Sequence, residues 1–173
     1  ELLKQTRLDL EAGGFTPRYF EKAVSYTINN GPKAIKIKGI ADRIDILEND
    51  KGRHIKIYDY KTGSIPKTFT REGIESGTDL QMLLYLFAEC AEEKNSKPAA
   101  VGYFSAGKQG MLNAADTTPL PQSDYDKSWY SGHKISGASF DTEEAERAVN
   151  DYEKAVREKT KSGPGARFTD IMT

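Results

Sequence analysis

The chain has 173 residues, 37% of them apolar and 29% charged, with a formal net charge of −1. That length suits one domain with a core of its own, and near-neutrality excludes a globally basic nucleic-acid binder, so any contact with DNA has to come from a local patch, a metal or a partner. No run approaches the ~20 apolar residues of a membrane span, and a single cysteine, Cys90, excludes an internal disulfide or a cysteine-built zinc site within these residues.

Residues 1–173 are expected to form a single domain. The chain opens on Glu1 rather than Met, which reads as a fragment of something longer. No secretory leader is visible, and Cys90 sits in an apolar helical stretch as a packing residue, so a reducing, cytoplasmic setting is expected.

In chain order, "ELLKQTRLDLEA" (1–12) predicts a helix stopped by Gly13-Gly14. "FTPRYFEKAVSYTI" (15–28) turns β-like, with Phe20, Lys22, Val24, Tyr26 and Ile28 on one parity, and "NNGP" (29–32) carries the Asn-Gly signal of a hairpin. "KAIKIKGIADRIDIL" (33–47) predicts a second strand, "ENDKG" (48–52) a turn and 53–61 a third strand. Short connections between these strands favour an antiparallel meander. "GTDLQMLLYLFAECAEEKN" (77–95) predicts a helix whose stripe is Leu80, Leu83, Leu84 and Phe87. "KPAAVGYFS" (97–105) predicts a strand buried on both faces, 106–138 a loop, and "DTEEAERAVNDYEKAVREK" (141–159) a last helix ended by the Gly-rich "SGPGARF". The order α-β-β-β-α-β-α implies an α/β sheet flanked by helices.

The chemistry lies where alternation and charge disagree. Residues two apart on a strand share a face. In "IKIYDYKTG" (55–63) the face of Ile55 and Ile57 continues into Asp59 and Lys61. In the strand before it, Ile40, Asp42, Ile44 and Ile46 share a parity, while Ile35 and Ile37 lie on the other, which places a change of register at Gly39. A carboxylate beside a core is costly unless paired or bound to a metal, and two adjacent carboxylates repel. A divalent cation relieves both. Magnesium takes one or two carboxylates plus waters and phosphate oxygens, activates water and offsets charge on a phosphoryl oxygen, and a neighbouring lysine can orient the water or stabilise the transition state. Two acids and a lysine are thus the parts of phosphodiester hydrolysis. A buried Asp–Lys ion pair at a sheet edge is the plainer account of Asp59 and Lys61 taken alone; Asp42, in register on the next strand, is what weighs against it.

Gln81 and Tyr85, four apart, share one helix face beside the leucine stripe. Thr78-x-x-Gln81 also fits a capping box, and Tyr85 also fits amphipathic packing. His54 and His133 have no ligand-like spacing, and His54, on the opposite parity from Asp59, is expected to be exposed. There is no phosphate-cradling glycine loop and no Ser/His/Asp arrangement. Arg43 and Asp45 lie on the opposite parity from Asp42 and carry no expectation.

"GIADRID" (39–45), "IYDYKTG" (57–63) and "LQMLLY" (80–85) together resemble the Gly-x-x-Asp, Asp-Tyr-Lys and Gln-x-x-x-Tyr motifs of RecB-type nucleases in the PD-(D/E)xK superfamily. "FTPRYFEKAVSY" and "KPAAVGYF" resemble the C-terminal nuclease domain of AddB-like helicase–nuclease subunits. The resemblance implies a restriction-endonuclease-like core: a central mixed sheet with an antiparallel three-strand meander flanked by helices. It implies a Mg2+-dependent deoxyribonuclease, with Mn2+ as a possible substitute, acting as an exonuclease on single DNA strands fed by a helicase partner in recombination and double-strand-break repair. Asp42, Asp59 and the carbonyl of Tyr60 would be metal ligands, Lys61 would serve the attacking water, and Gln81 and Tyr85 would support the site or touch DNA. Glu21 matches a recurrent glutamate ahead of the first motif, with a surface ion pair as the plainer account of it. Relatives' upstream histidine ligand has no counterpart in residues 1–20, and the four cysteines of an iron–sulfur cluster are not present, so no cluster is expected within these residues. A non-catalytic DNA-binding or scaffold module keeping the fold is the alternative from another class, and a structure-specific endonuclease of the same superfamily a third.

Overall fold

Three strands joined by two tight turns begin the sheet. In the computed structural model, which describes residues 6–7, 9–11, 14–62, 71–77, 80–105, 135–140 and 166–170, β1 (Thr16–Asn30) pairs antiparallel with β2 (Lys33–Asn49), and β2 with β3 (Gly52–Lys61). Gly31, at φ 60, closes the first turn in a conformation that glycine takes without cost. A short helix α1 (Arg71–Glu75) and a longer α2 (Leu80–Glu92) then lead to β4 (Ser96–Ser105), parallel to β3. β5 (Ile135–Ser139) adds antiparallel to β4 and β6 (Ala166–Asp170) parallel to β5, giving one mixed sheet in the order β1-β2-β3-β4-β5-β6. The meander, the central helix and β4 agree with the expected elements. β5 overlaps the end of the stretch read as loop, and β6 the Gly-rich tail; the helix expected over 141–159 and the histidine at 133 lie outside the described residues. No helix among the described residues is long and apolar enough to cross a membrane.

The sheet is covered on both faces. On one, α2 packs Met82, Leu83 and Leu86 against Ile44, Ile46, Ile55, Ile57, Val101 and Tyr103. The buried stripe of α2 is therefore turned by about one residue from the one predicted: Leu80 and Leu84 are half-buried, and Phe87 is exposed and meets Phe140 edge-on at 6.0 Å. On the other face, Phe15 and Ala99 pack with Leu47, and Lys56 lies over the Phe15 ring while it donates to Asp9 of the N-terminal helical residues. This second cover corrects the expectation for His54, which is buried although it faces away from Ile55 and Ile57. Seven consecutive residues of β3, 53–59, are buried, as a central strand with both faces covered requires.

The change of facing in β2 is also placed differently. Ile37 and Gly39 are half-buried, Ala41 is 1% exposed and Ile40 is 56% exposed, whereas Ile44 and Ile46 are buried. The inward parity thus reverses between Ala41 and Asp42, not at Gly39, and Ile40 does not share the core face of Ile44. Across the ladder, between the pairs Phe20↔Arg43 and Lys22↔Ala41, stands Glu21 with φ 49, an uncommon conformation for a residue with a side chain. Both strands change facing at this step while the register is kept, and the ladder's shift of register lies earlier, between Pro17 and Tyr19.

Gly39 has another function. The phenol of Tyr85 lies directly on it, and an added Cβ would overlap the ring and its hydroxyl. Gly39→Ala is expected to cost about 1–3 kcal/mol, the range for overpacking a filled site, read as a lower urea midpoint. The same substitution in a Tyr85→Ala background should cost much less.

Candidate active site

The ladder between β2 and β3 ends at Arg43↔Tyr58, while β2 continues along β1 and β3 along β4 through Lys61↔Ser105. A fork opens there. Continuing the register places Asp42 and Asp59 opposite each other at its base, as the alternation of the two strands implied. The Tyr60 amide donates to Asp42 Oδ2 at 2.8 Å, so the carboxylate takes the place of a backbone acceptor where the ladder stops. Asp59 is buried, and Lys61, two residues on and on the same face, brings its Nζ to 2.7 Å from Asp59 Oδ2 while remaining partly exposed. That contact is one of charge: Asp59 Oδ2 is buried without a well-directed hydrogen bond. The Lys61 ammonium also lies 5.6 Å from the Tyr103 ring centroid.

Gln81 and Tyr85 meet as their spacing predicts, with Gln81 Nε2 donating to Tyr85 OH at 3.2 Å. Neither hydrogen-bonds Asp42, Asp59 or Lys61 among the described residues; through Gly39, Tyr85 instead joins α2 to the strand that carries Asp42. Nearby, Lys22 pairs with Glu89 at 2.6 Å and Glu92 at 2.9 Å, a second tie between β1 and α2. Cys90, on the same helix, is half-buried, and burial, aided by Glu89, pushes its thiol up to about 12, as befits a packing residue.

The other face of the same strands holds a group that sequence reasoning passed over. Arg43 donates through Nε and Nη2 to both oxygens of Asp45, at 2.8 and 2.7 Å, through Nη2 to Asp9 Oδ2 at 2.7 Å, and through Nη1 to Tyr60 OH at 2.9 Å. Lys56 Nζ and Tyr58 OH donate to Asp9 Oδ1 at 3.0 and 2.9 Å. Arg43, Asp45, Lys56, Tyr58 and Asp9 are all buried. Two carboxylates face two cations, so the cluster is balanced in charge, and each polar head has a partner, which is what makes such burial tolerable. Burial opposes the charge on Arg43, but Asp45, Tyr58 and Asp9 outweigh it and the guanidinium pKa is raised. A signal was available in the register positions Asp45↔Lys56 and Arg43↔Tyr58, where an opposite-charge pair adjoins a cation beside an aromatic ring.

Tyr58 gives this cluster a pH dependence. Burial, reinforced by Asp9, raises its hydroxyl well above the usual 10.0. A raised pKa in the folded state adds stability that is complete below the unfolded value and is lost as pH rises from about 10 through the folded value. The thermal midpoint is therefore expected to fall above about pH 10, and to fall less steeply in Tyr58→Phe, which keeps the ring.

Tyr60 links the two faces. Its amide serves Asp42 on one side, and its hydroxyl accepts from Arg43 on the other, with its ring 5.5 Å from that of Phe104. The strand end that presents Asp59 and Lys61 is thereby held from both sides.

A mixed sheet with this meander and a helix packed across it is an α/β core of the restriction-endonuclease-like kind. The chain matches the PD-(D/E)XK nuclease superfamily over residues 2–169, and it belongs to that family. It is similar to AddB-like proteins, named as subunits of an ATP-dependent helicase/deoxyribonuclease. That of Clostridium botulinum strain Hall is 28% identical over 142 residues, 74% of this chain and 12% of that protein. That of Clostridium tetani strain Massachusetts is 33% identical over 110 residues, 56% of this chain and 9% of the relative. That of Thermoanaerobacter sp. strain X514 is 36% identical over 85 residues, 47% of this chain and 7% of the relative. The kinship with AddB-like proteins read from the motifs is thus borne out, and the chain spans only a small part of these relatives' length.

Proposed function

We propose that this domain is a divalent-metal-dependent deoxyribonuclease, with magnesium as the working ion, that hydrolyses single DNA strands as an exonuclease. The observation that carries the reading is the pair of carboxylates brought together at the β2/β3 fork with Lys61 beside them. The donor set suits the ion. Asp59 Oδ2 is a buried oxygen without a directed hydrogen bond, and Asp42 commits one oxygen to the Tyr60 amide. Among the described residues no three His, Cys, Asp or Glu side chains gather around a point. An ion held by two carboxylates and the Tyr60 carbonyl would take its remaining ligands from water and phosphate, which is magnesium's habit rather than zinc's. When bound, such an ion would lower the pKa of a water and offset charge on the phosphoryl group.

The chain's own residues do the rest. Asp42 and Asp59 would hold the cation, and the Tyr60 amide orients Asp42. Lys61 in its ammonium form carries three donors and no acceptor. It therefore orients the attacking water and stabilises charge on a phosphoryl oxygen, and does not take the proton. In the hydrolysis, the water oxygen bonds to phosphorus, the bond to the leaving sugar oxygen breaks, and a proton from the water ends on that oxygen. Tyr85 supports the site by joining α2 to β2 at Gly39, and Gln81 holds its hydroxyl. The names of the relatives, subunits of an ATP-dependent helicase/deoxyribonuclease, support a helicase partner, and a role in recombination and double-strand-break repair is what the motif resemblance adds to that reading.

The test is cleavage of end-labelled single-stranded DNA with magnesium and with EDTA. Loss of signal only with the metal supports the reading. Binding without turnover in any divalent cation overturns it in favour of a DNA-binding or scaffold module that keeps the fold.

A further inference from the structure

Beyond the fork, β1 and β2 run on together without β3. Their ladder continues from Lys22↔Ala41 to Asn30↔Lys33, whereas β3 pairs with β2 only as far as Arg43. At ~3.4 Å per residue this two-stranded ribbon is roughly 25–30 Å long. Its base is anchored by Lys22 on Glu89 and Glu92 and by Tyr85 on Gly39, and it starts at the fork that holds Asp42 and Asp59.

The ribbon is charged in one sense only. From Lys22 to Ala41 the sequence has lysines at 22, 33, 36 and 38 and no Asp or Glu, in a chain whose net charge is −1. Lys36 and Lys38 share the face opposite Ile37 and Gly39, turned away from α2, and their register partners there are Thr27 and Ser25. All four are exposed, as is Lys33 at the turn. Lys33, Lys36 and Lys38 have no ion-pair partner among the described residues. An acid-free row of ammonium groups interleaved with hydroxyls, on a twisted two-stranded ribbon, is complementary to a phosphodiester backbone: lysines neutralise phosphates, and hydroxyls donate to their oxygens.

We propose that the ribbon is a strand-binding arm, with Lys33, Lys36, Lys38, Ser25 and Thr27 holding the backbone of the nucleic acid whose scissile phosphate lies at the fork. This rests on the nuclease reading for its substrate, and it adds a site that none of the motif residues forms. The lysines act through phosphate, so the arm holds a strand without selecting its sequence.

The test compares wild type with the triple variant Lys33→Gln, Lys36→Gln, Lys38→Gln, whose side chains are all exposed. Fluorescence anisotropy with a short labelled oligothymidylate, in EDTA and over a range of salt, reads affinity and its salt slope. Hydrolysis of bis(p-nitrophenyl) phosphate with a divalent metal reads the fork alone, since that diester is too small to reach the arm. The expected result is an affinity lower by about tenfold or more and a log–log salt slope shallower by about two, as three fewer contacts to a single strand imply, with turnover of the small diester unchanged. Equal affinity and slope in the two proteins would overturn the arm, and so would a wild type that binds no oligothymidylate. The nuclease reading fails separately: a wild type whose binding depends on the three lysines, but which cleaves neither substrate, keeps the arm and loses the enzyme.

Discussion

Asp59→Ala is expected to abolish metal-dependent cleavage, and Lys61→Ala to slow it by about 10²–10³-fold, the range for loss of one charge-stabilising donor. The argument is local. Asp59 is buried at the base of the fork, and its close cation is the partly exposed Lys61. Removing Asp59 therefore strands no buried charge, and the thermal midpoint should move little, by the equivalent of ~1 kcal/mol or less. Calorimetric titration with magnesium or manganese separates the two residues. Asp59→Ala should lose the binding heat, whereas Lys61→Ala should keep it, because a cation beside the ion is no ligand. The same metal binding in wild type and Asp59→Ala would contradict the site assignment, and undiminished cleavage by Lys61→Ala would contradict the mechanism.

The largest effect on stability is expected on the opposite face. Asp9→Ala removes the carboxylate that accepts from Arg43, Lys56 and Tyr58 at once. Lys56 is then left 4.0 Å from Asp45, which Arg43 already engages with both oxygens. Breaking a buried ionic set by deleting one partner costs about 3–5 kcal/mol, a large part of the ~5–15 kcal/mol that holds a domain together. Urea denaturation should show the loss as a lower midpoint with little change in slope. Asp9→Asn, which keeps one acceptor and the volume, should lose less. A midpoint unchanged in Asp9→Ala would mean that this carboxylate does not bind the N-terminal helical residues to the sheet.

How much of this was legible follows from the kind of signal each residue gives. The Asp/Asp/Lys set could be read because charge interrupts an alternation that would otherwise be apolar, and strand alternation is strict. The Asn-Gly turn and the helix of α2 rest on equally local rules. Asp9 could not be found in this way: its partners are more than thirty residues away, and in sequence it is one more polar position on an amphipathic helix. His54 was misplaced because parity tells which face a residue is on, not whether that face is covered. Gly39 was noticed as a break in pattern, but its reason is a side chain from α2, which alternation within β2 does not register. β5, "ISGAS", consists mostly of small residues, so it shows neither bulk nor alternation; it becomes a strand by adding to β4.

The turn at Asp50–Lys51 has a bearing on the order in which the molecule forms. It closes the β2/β3 hairpin, whose two arms supply Asp42, Asp59 and Lys61, and local hairpin contacts carry little loop-closure cost. The parallel pairing of β3 with β4 must instead wait for the whole crossover through α1 and α2. The topology thus puts the three charged groups on the part of the sheet that needs least of the remaining chain to find its register, and the slower long-range pairing comes afterwards to bury the strand that bears two of them.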